Sequence, residues 1–132
     1  GLSRPARLDR ARIGGLLRRA EFLAVAGTRR KHVAPGLILQ VRKHDERQRP
    51  GKGTVAVRFG LTASKKVGNA VKRNRARRRL RAAATDLLGR HCAAGYDVVL
   101  VARGETVVRP WRDLVGDLTA AMKKLGLWRD AP

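Results

Sequence analysis

A single cysteine, Cys92, leaves no partner for an intrachain disulfide and too few thiols for a cysteine-based zinc finger. It fits a reducing compartment, and the expected location is cytoplasmic. Aromatics are scarce too: two Trp, two Phe and one Tyr, 4% of the chain. With no RNP-type aromatic pattern, no suitable GxxG loop and no Cys/His finger spacing, the sequence excludes the RRM, KH and zinc-finger modules. Long apolar runs are missing. Stretches such as 37–41 and 98–102 fall far short of the ~20 residues a membrane helix needs, so no membrane association is expected. The first 26 residues scatter Arg throughout and hold no apolar core ahead of a small-residue cleavage site, so no signal peptide is expected either.

The most telling shortage is acid. Ten Asp and Glu stand against 31 Lys and Arg in 132 residues, a formal net charge of +21. From Arg47 to Thr85 there is no carboxylate at all. Hydrophobic residues still make up 43%, an ordinary globular share, so the chain reads as one folded basic domain rather than a disordered basic tail. Such an excess calls for a polyanionic partner.

Residues 1–15 mix Arg, Gly and Pro without a sustained apolar period and are expected to form a mobile basic arm ahead of a single domain spanning 16–128. Leu16, Phe22, Val25 and Ala26 fall near one side of a short helix that Gly27 ends. Leu37, Leu39 and Val41 alternate as a strand, as do Val55, Val57, Phe59 and Leu61, and the polar stretch 42–53 between them reads as an exposed hairpin loop. A further short strand is possible around 31–33. Ala76, Leu80, Ala83, Ala84 and Leu87 recur at helical spacing within 69–90, and Tyr96 to Ala102 is a β-branched run suited to burial on both faces. A last helix opens near Pro110, with an apolar stripe of Trp111, Leu114, Val115, Leu118, Ala121, Met122 and Leu125. The order is α-β-β(-β)-α-β-α, an α+β or split βαβ sandwich.

Arg73, Arg77 and Arg81 align at i, i+4 and i+8 on the central helix, with Lys72, Arg75 and Arg78 flanking them. Like charges so stacked each cost an isolated helix a few tenths of a kcal/mol, a penalty that phosphates remove. A merely solvated face usually mixes signs, and this one does not. Charge alone does not decide between DNA and RNA, because phosphate contacts carry no sequence information.

The segment Arg58-Phe-Gly-Leu-Thr-Ala-Ser-Lys-Lys-Val-Gly-Asn-Ala-Val-Lys-Arg-Asn-Arg-Ala-Arg-Arg-Arg-Leu-Arg81 closely resembles the bacterial ribonuclease P protein family. The family pattern is a strand ending in Ser-Lys-Lys, then Gly-Asn-Ala-Val and Arg-Asn-Arg on a helix, matched by Ser64 to Lys66, Gly68 to Val71 and Arg73 to Arg75. The resemblance runs from about Leu17 to the last helix. It implies a ribosomal-protein-like α/β sandwich with a left-handed βαβ crossover, against the usual hand. It also implies a subunit of the ribonucleoprotein that removes the 5′ leader of precursor tRNA. The partners would be the catalytic RNA and precursor tRNA, with no stable protein partner implied. The RNA would perform the chemistry with Mg²⁺ held mainly by RNA, so the chain carries no catalytic residue and no metal site of its own.

By the same resemblance, Lys65, Lys66, Asn69, Lys72, Arg73, Asn74, Arg75, Arg77, Arg78 and Arg81 face RNA. Asn69 and Asn74 could instead serve as a helix cap or turn residue. Phe22 matches an aromatic position of the family's leader cleft, where it would either stack a base or pack in the core. Ile38 is a candidate for the same surface, and Ala26 and Gln40 stand where relatives often carry aromatics.

Rival chemistries lack their parts. Ser64 and Lys65 are adjacent, so their side chains point apart and no acyl-transfer motif surrounds them. His91 and Cys92 have no second ligand cluster. Gly51-Lys-Gly-Thr54 lacks the spacer and preceding strand of a phosphate loop. The carboxylates show no cluster of the kind a two-metal nuclease requires. A ribosomal or chaperone-like RNA-binding protein, and a protein-only endonuclease, remain the alternative readings.

Overall fold

The period-two pattern at Leu37, Leu39 and Val41, and at Val57, Phe59 and Leu61, turns one face of each strand toward an apolar core. A computed structural model, describing residues 13–45 and 56–130, places both strands in one five-stranded sheet. Its elements are β1 (Ile13–Gly15), α1 (Arg19–Gly27), β2 (Lys31–Val33), β3 (Leu37–Lys43), β4 (Val57–Thr62), α2 (Ala70–His91), β5 (Tyr96–Ala102) and α3 (Trp111–Lys124). Two 3-10 turns, Lys65–Val67 and Gly104–Val107, follow β4 and β5.

The strand order is β1-β4-β5-β3-β2. The β-branched run of β5 takes the centre, parallel to β4 and antiparallel to β3. It is buried on both faces, as expected of a continuous apolar strand. Leu37, Leu39, Val57, Phe59, Val98 and Leu100 pack beneath α2 and α3, whose Leu80, Leu88, Leu114, Leu118 and Met122 complete the main core. On the opposite face, Val25 of α1 meets Leu16 and Val99, with Phe22 and Val101 against them. The result is a mixed α+β sandwich of three layers.

Several expectations change. Ile13–Gly15, counted with the N-terminal arm, pair in parallel with Val57, Arg58 and Phe59 along the open edge of β4. Residues 1–12 lie outside the described residues. The strands on either side of 42–53 form no hairpin. β3 runs on to Lys43, and β5 lies between β3 and β4, since the most apolar strand gains most from the centre. Most of the predicted loop, 46–55, and Val55 itself fall outside the described residues. The βαβ unit β4-α2-β5 is not split, for its two strands are immediate neighbours. The stretch 31–33 is a strand, paired with β3. Leu16 precedes α1 rather than joining its stripe, and Ala26 and Trp111 are exposed.

Candidate nucleic-acid interface

The Ser-Lys-Lys-Val-Gly-Asn segment is a turn that feeds β4 into α2. Ser64 Oγ accepts the N–H of Lys66 at 3.3 Å, opening the 3-10 turn. Gly68 follows with φ +143°, strained for any side chain, and a Cβ there would also lie 2.6 Å from Lys72 Cδ. Asn69 then caps α2, its Oδ1 accepting the Lys72 N–H at 3.0 Å. Lys65 and Lys66 stand exposed on the turn. The cap reading of Asn69 is thus realised, whereas Asn74 sits mid-helix, exposed, and accepts from Arg77 Nη1 at 3.2 Å.

The buried stripe Ala76, Leu80, Ala83, Ala84 and Leu87 divides the cations of α2 into two rows. Arg73, Arg77 and Arg81 follow one side, toward the end of β4. Arg73 Nη1 donates to Gly68 O at 2.9 Å and Arg77 Nη2 to Ala63 O at 3.4 Å. Arg75 and Arg79 follow the other, toward the turn after β5. Arg75 Nε donates to Val107 O at 3.3 Å, and Arg79 donates to the carbonyls of Thr106 and Arg109. Lys72, Asn74 and Arg78 ride exposed. Among the described residues no carboxylate pairs with any cation from Lys72 to Arg81. Burial, then the neighbouring Arg75 charge, lowers the pKa of Arg79 from its ordinary value.

The Arg77 and Arg81 side of the helix meets a cavity of about 310 Å³, lined also by Leu16, Leu17, Phe22 and Leu61. Phe22 lies directly over Gly60, where a Cβ would come within 2.4 Å of the ring carbons Cε1 and Cζ. The core reading is realised, for the ring packs against the Leu16, Val25 and Val99 cluster, and the same ring also forms a cavity wall. Ile38 and Gln40, half-buried, share the α1 face of the sheet, paired with Val101 and Val99 of β5. They do not line that cavity, which sits at the β4 edge.

The sequence did not reveal the ion network beneath α1. Asp97, 1% exposed, receives Arg58 and His44, while Arg58 also reaches Glu21, and Glu21 Oε1 accepts the N–H groups of Leu17 and Arg18 that open the helix. The only signal was an Asp inside an apolar strand. His91 and Cys92 belong to the closure of the C-terminus. The His91 ring stacks on Trp128 with centroids 4.1 Å apart, and Cys92, buried, bridges backbone to Trp128. Among the described residues no group of three or more His, Cys, Asp or Glu stands where it could hold a metal ion, and no helix is long and apolar enough to cross a membrane.

The ribonuclease P family model matches residues 11–126. The chain is 50% identical over 125 residues to the ribonuclease P protein component of Paramagnetospirillum magneticum, covering 92% of this chain and 85% of that protein. Against the component of Gluconacetobacter diazotrophicus it is 44% identical, covering 85% and 90%. Its fold matches the RNase P protein of Staphylococcus aureus with a TM-score of 0.69 at 19% identity, over 87% of this chain and 97% of that one. It matches the RNase P protein of Thermotoga maritima at 0.62 and 22%, over 79% and 91%. With these matches spanning the turn, the basic helix and the whole sheet, the chain belongs to the ribonuclease P protein family, as a protein component of that ribonucleoprotein.

Proposed function

We propose that this protein binds the catalytic RNA of ribonuclease P together with the 5′ leader of precursor tRNA, and so promotes Mg²⁺-dependent removal of the leader in the cytoplasm. The observation that carries this reading is the row Arg73, Arg77 and Arg81, unpaired with any described carboxylate, running beside the cavity at Phe22. Lys65, Lys66, Lys72 and Arg78 extend the same positive surface, Arg75 adds a cation on the opposite flank of α2, and Asn69 and Asn74 add amide groups that both donate and accept. Arg offers a planar fork to phosphate oxygens, so the surface orients RNA as well as attracting it. Phe22 at the cavity, and Ile38 and Gln40 apart from it on the α1 face of the sheet, are the half-buried residues that face the leader.

The protein's work is electrostatic and positional. Its cations reduce repulsion between two RNAs, and holding the leader raises the effective concentration of the scissile bond at the RNA's Mg²⁺ sites. No side chain of this chain takes part in bond breaking, and the hydrolytic Mg²⁺ belongs to RNA. Six to eight phosphate contacts would make log affinity fall against log salt with a slope magnitude of about 4 to 7.

Three parallel reactions at low Mg²⁺ test this: bacterial ribonuclease P RNA alone, the protein alone, and both together, each with precursor tRNA. Cleavage at the mature 5′ end only in the combined reaction is the expected result. Cleavage by the protein alone would make it a nuclease, and no effect in any tube would favour a general RNA-binding protein.

A further inference from the structure

The second row of α2 has no place in the leader seat. Arg75 and Arg79 lie one turn apart on the side away from Phe22, directed at the turn Gly104–Val107 and the start of α3. Beside them the chain exposes two apolar side chains in quick succession, Val108 at 71% and Trp111 at 46%. Arg79 hydrogen bonds the Arg109 carbonyl, and Pro110 and Trp111 come next, so the guanidinium is held two residues along the chain from the indole. Arg112, also exposed, follows Trp111. The carboxylates near this loop, Glu105 and Asp113, act on Arg109, which is itself bound by Asp117 through Nε at 2.7 Å and Nη2 at 3.1 Å. Among the described residues Arg75 and Arg79 find only carbonyls, and each other's charge.

An exposed aromatic ring near two arginines that pair with no carboxylate among the described residues is what an unpaired nucleotide needs: stacking for its base and charge for its phosphates. Side chains one helical turn apart are about 5–6 Å apart at Cβ, close enough for one phosphate or two successive ones to touch both. The other Trp cannot serve, for Trp128 is already stacked on His91, with Lys123 Nζ 5.2 Å from its ring centroid.

We propose that Trp111, Val108, Arg75 and Arg79 form a second RNA-contact surface, which stacks an unpaired base on Trp111 and holds its flanking phosphates on the two arginines. The surface takes single-stranded or bulged RNA and lies across α2 from the Phe22 cavity, so one helix contacts RNA along both flanks. This rests on the RNA-binding reading above but needs its own evidence.

The test uses the full chain carrying Trp128→Phe, which keeps an aromatic partner for His91 and leaves Trp111 as the sole tryptophan. The probe is oligouridylate, titrated at low salt, with Trp111 emission and binding by anisotropy read together. Quenching of Trp111, with binding about tenfold weaker in Trp111→Ala and near full strength in Trp111→Phe, supports the surface. Arg79→Ala should weaken binding while leaving the circular-dichroism spectrum unchanged. If Trp111 emission stays fixed and Trp111→Ala binds as tightly as the parent, while Arg77→Ala binds more weakly, the second surface is wrong and the RNA-binding reading stands. If the parent chain fails to bind the probe, the second surface is wrong, and the combined cleavage reaction above decides the RNA-binding reading separately.

Discussion

Arg58 of β4 and Asp97 of β5 stand opposite each other in parallel register, and guanidinium meets carboxylate twice, Nε to Oδ1 at 2.9 Å and Nη2 to Oδ2 at 2.7 Å. The same guanidinium reaches Glu21 on α1, and His44 Nε2 lies 2.7 Å from Asp97 Oδ1. One buried carboxylate therefore ties the helix that carries Phe22 to the two central parallel strands and to the residue just past β3. In a chain so short of acid, placing one of its ten carboxylates at 1% exposure marks this as the anchor of the α1 layer.

Asp97→Ala leaves Arg58 half-buried without its main partner, so the expected loss is about 3–5 kcal/mol of folding stability. Urea unfolding followed by circular dichroism measures it. An unchanged midpoint would mean that water replaces the carboxylate at no cost.

Acid should act through the same network. Burial pushes the Asp97 carboxyl up, but the hydrogen bonds and charges of Arg58 and His44 together outweigh it and hold the carboxyl below its ordinary value. Glu21 is also lowered, first by the backbone N–H groups of Arg18 and Leu17 and then, against burial, by Arg58. A carboxylate with a depressed folded-state pKa contributes stability that is full above its unfolded value, about 4 for these residues, and is lost as pH falls through the folded one. Unfolding midpoints taken from neutral pH downward should stay level and then drop below about pH 4. Asp97→Asn should start lower and drop less steeply.

Gly60→Ala puts a methyl where the Phe22 ring already lies, 2.4 Å from two ring carbons. Either the ring or α1 must move, at a cost of about 1–3 kcal/mol. Thermal unfolding reads the destabilisation, and weaker binding of a single-stranded leader oligonucleotide would show that the seat of Phe22 moved with it.

The two asparagines should separate. Asn69→Ala removes the cap of α2 and should cost about 0.5–2 kcal/mol, whereas Asn74→Ala, exposed in mid-helix, should leave stability within about 0.5 kcal/mol. Differential scanning calorimetry on both variants checks the order. Equal losses would contradict the assignment of Asn69 as the cap.

Arg81→Ala removes an exposed cation that lines the cavity. Processing at limiting Mg²⁺ should fall while the unfolding midpoint hardly moves, and the salt slope of RNA binding should shrink by about one. Equal loss of stability would assign Arg81 to the fold rather than to RNA.

Much of this fold was legible because strong periodicity and strong function coincide. The α2 stripe from Ala76 to Leu87, the continuous apolar run of β5 and the alternation of β3 are signals that tertiary packing reinforced. Strand order was less legible. Nothing in Leu37–Lys43 or Val57–Thr62 says that a strand made later will separate them, because that choice is settled by which strand buries most on both faces. β1 escaped notice for a related reason: Ile13–Gly15 has neither alternation nor β-branched density, and only the open edge of β4 makes it a strand. At the site, the Ser-Lys-Lys to Arg-Asn-Arg match located the cationic residues. It did not divide them into two flanks, since that division depends on where the turn Gly104–Val107 comes to rest. Asp97 was hidden by its own neighbours, a lone charge in an apolar run whose partners lie on other strands.

The central place of β5 also sets an order of events during synthesis. Until Tyr96–Ala102 has left the ribosome, the sheet exists only as two unconnected pairs, β1 with β4 and β2 with β3, and pieces of that size are marginal in water. By then the whole of α2 has already been made, so its arginines emerge before the core that will hold the helix in place. Everything upstream waits on the last strand, and a chain cut off before it has a basic helix but no sheet to carry it.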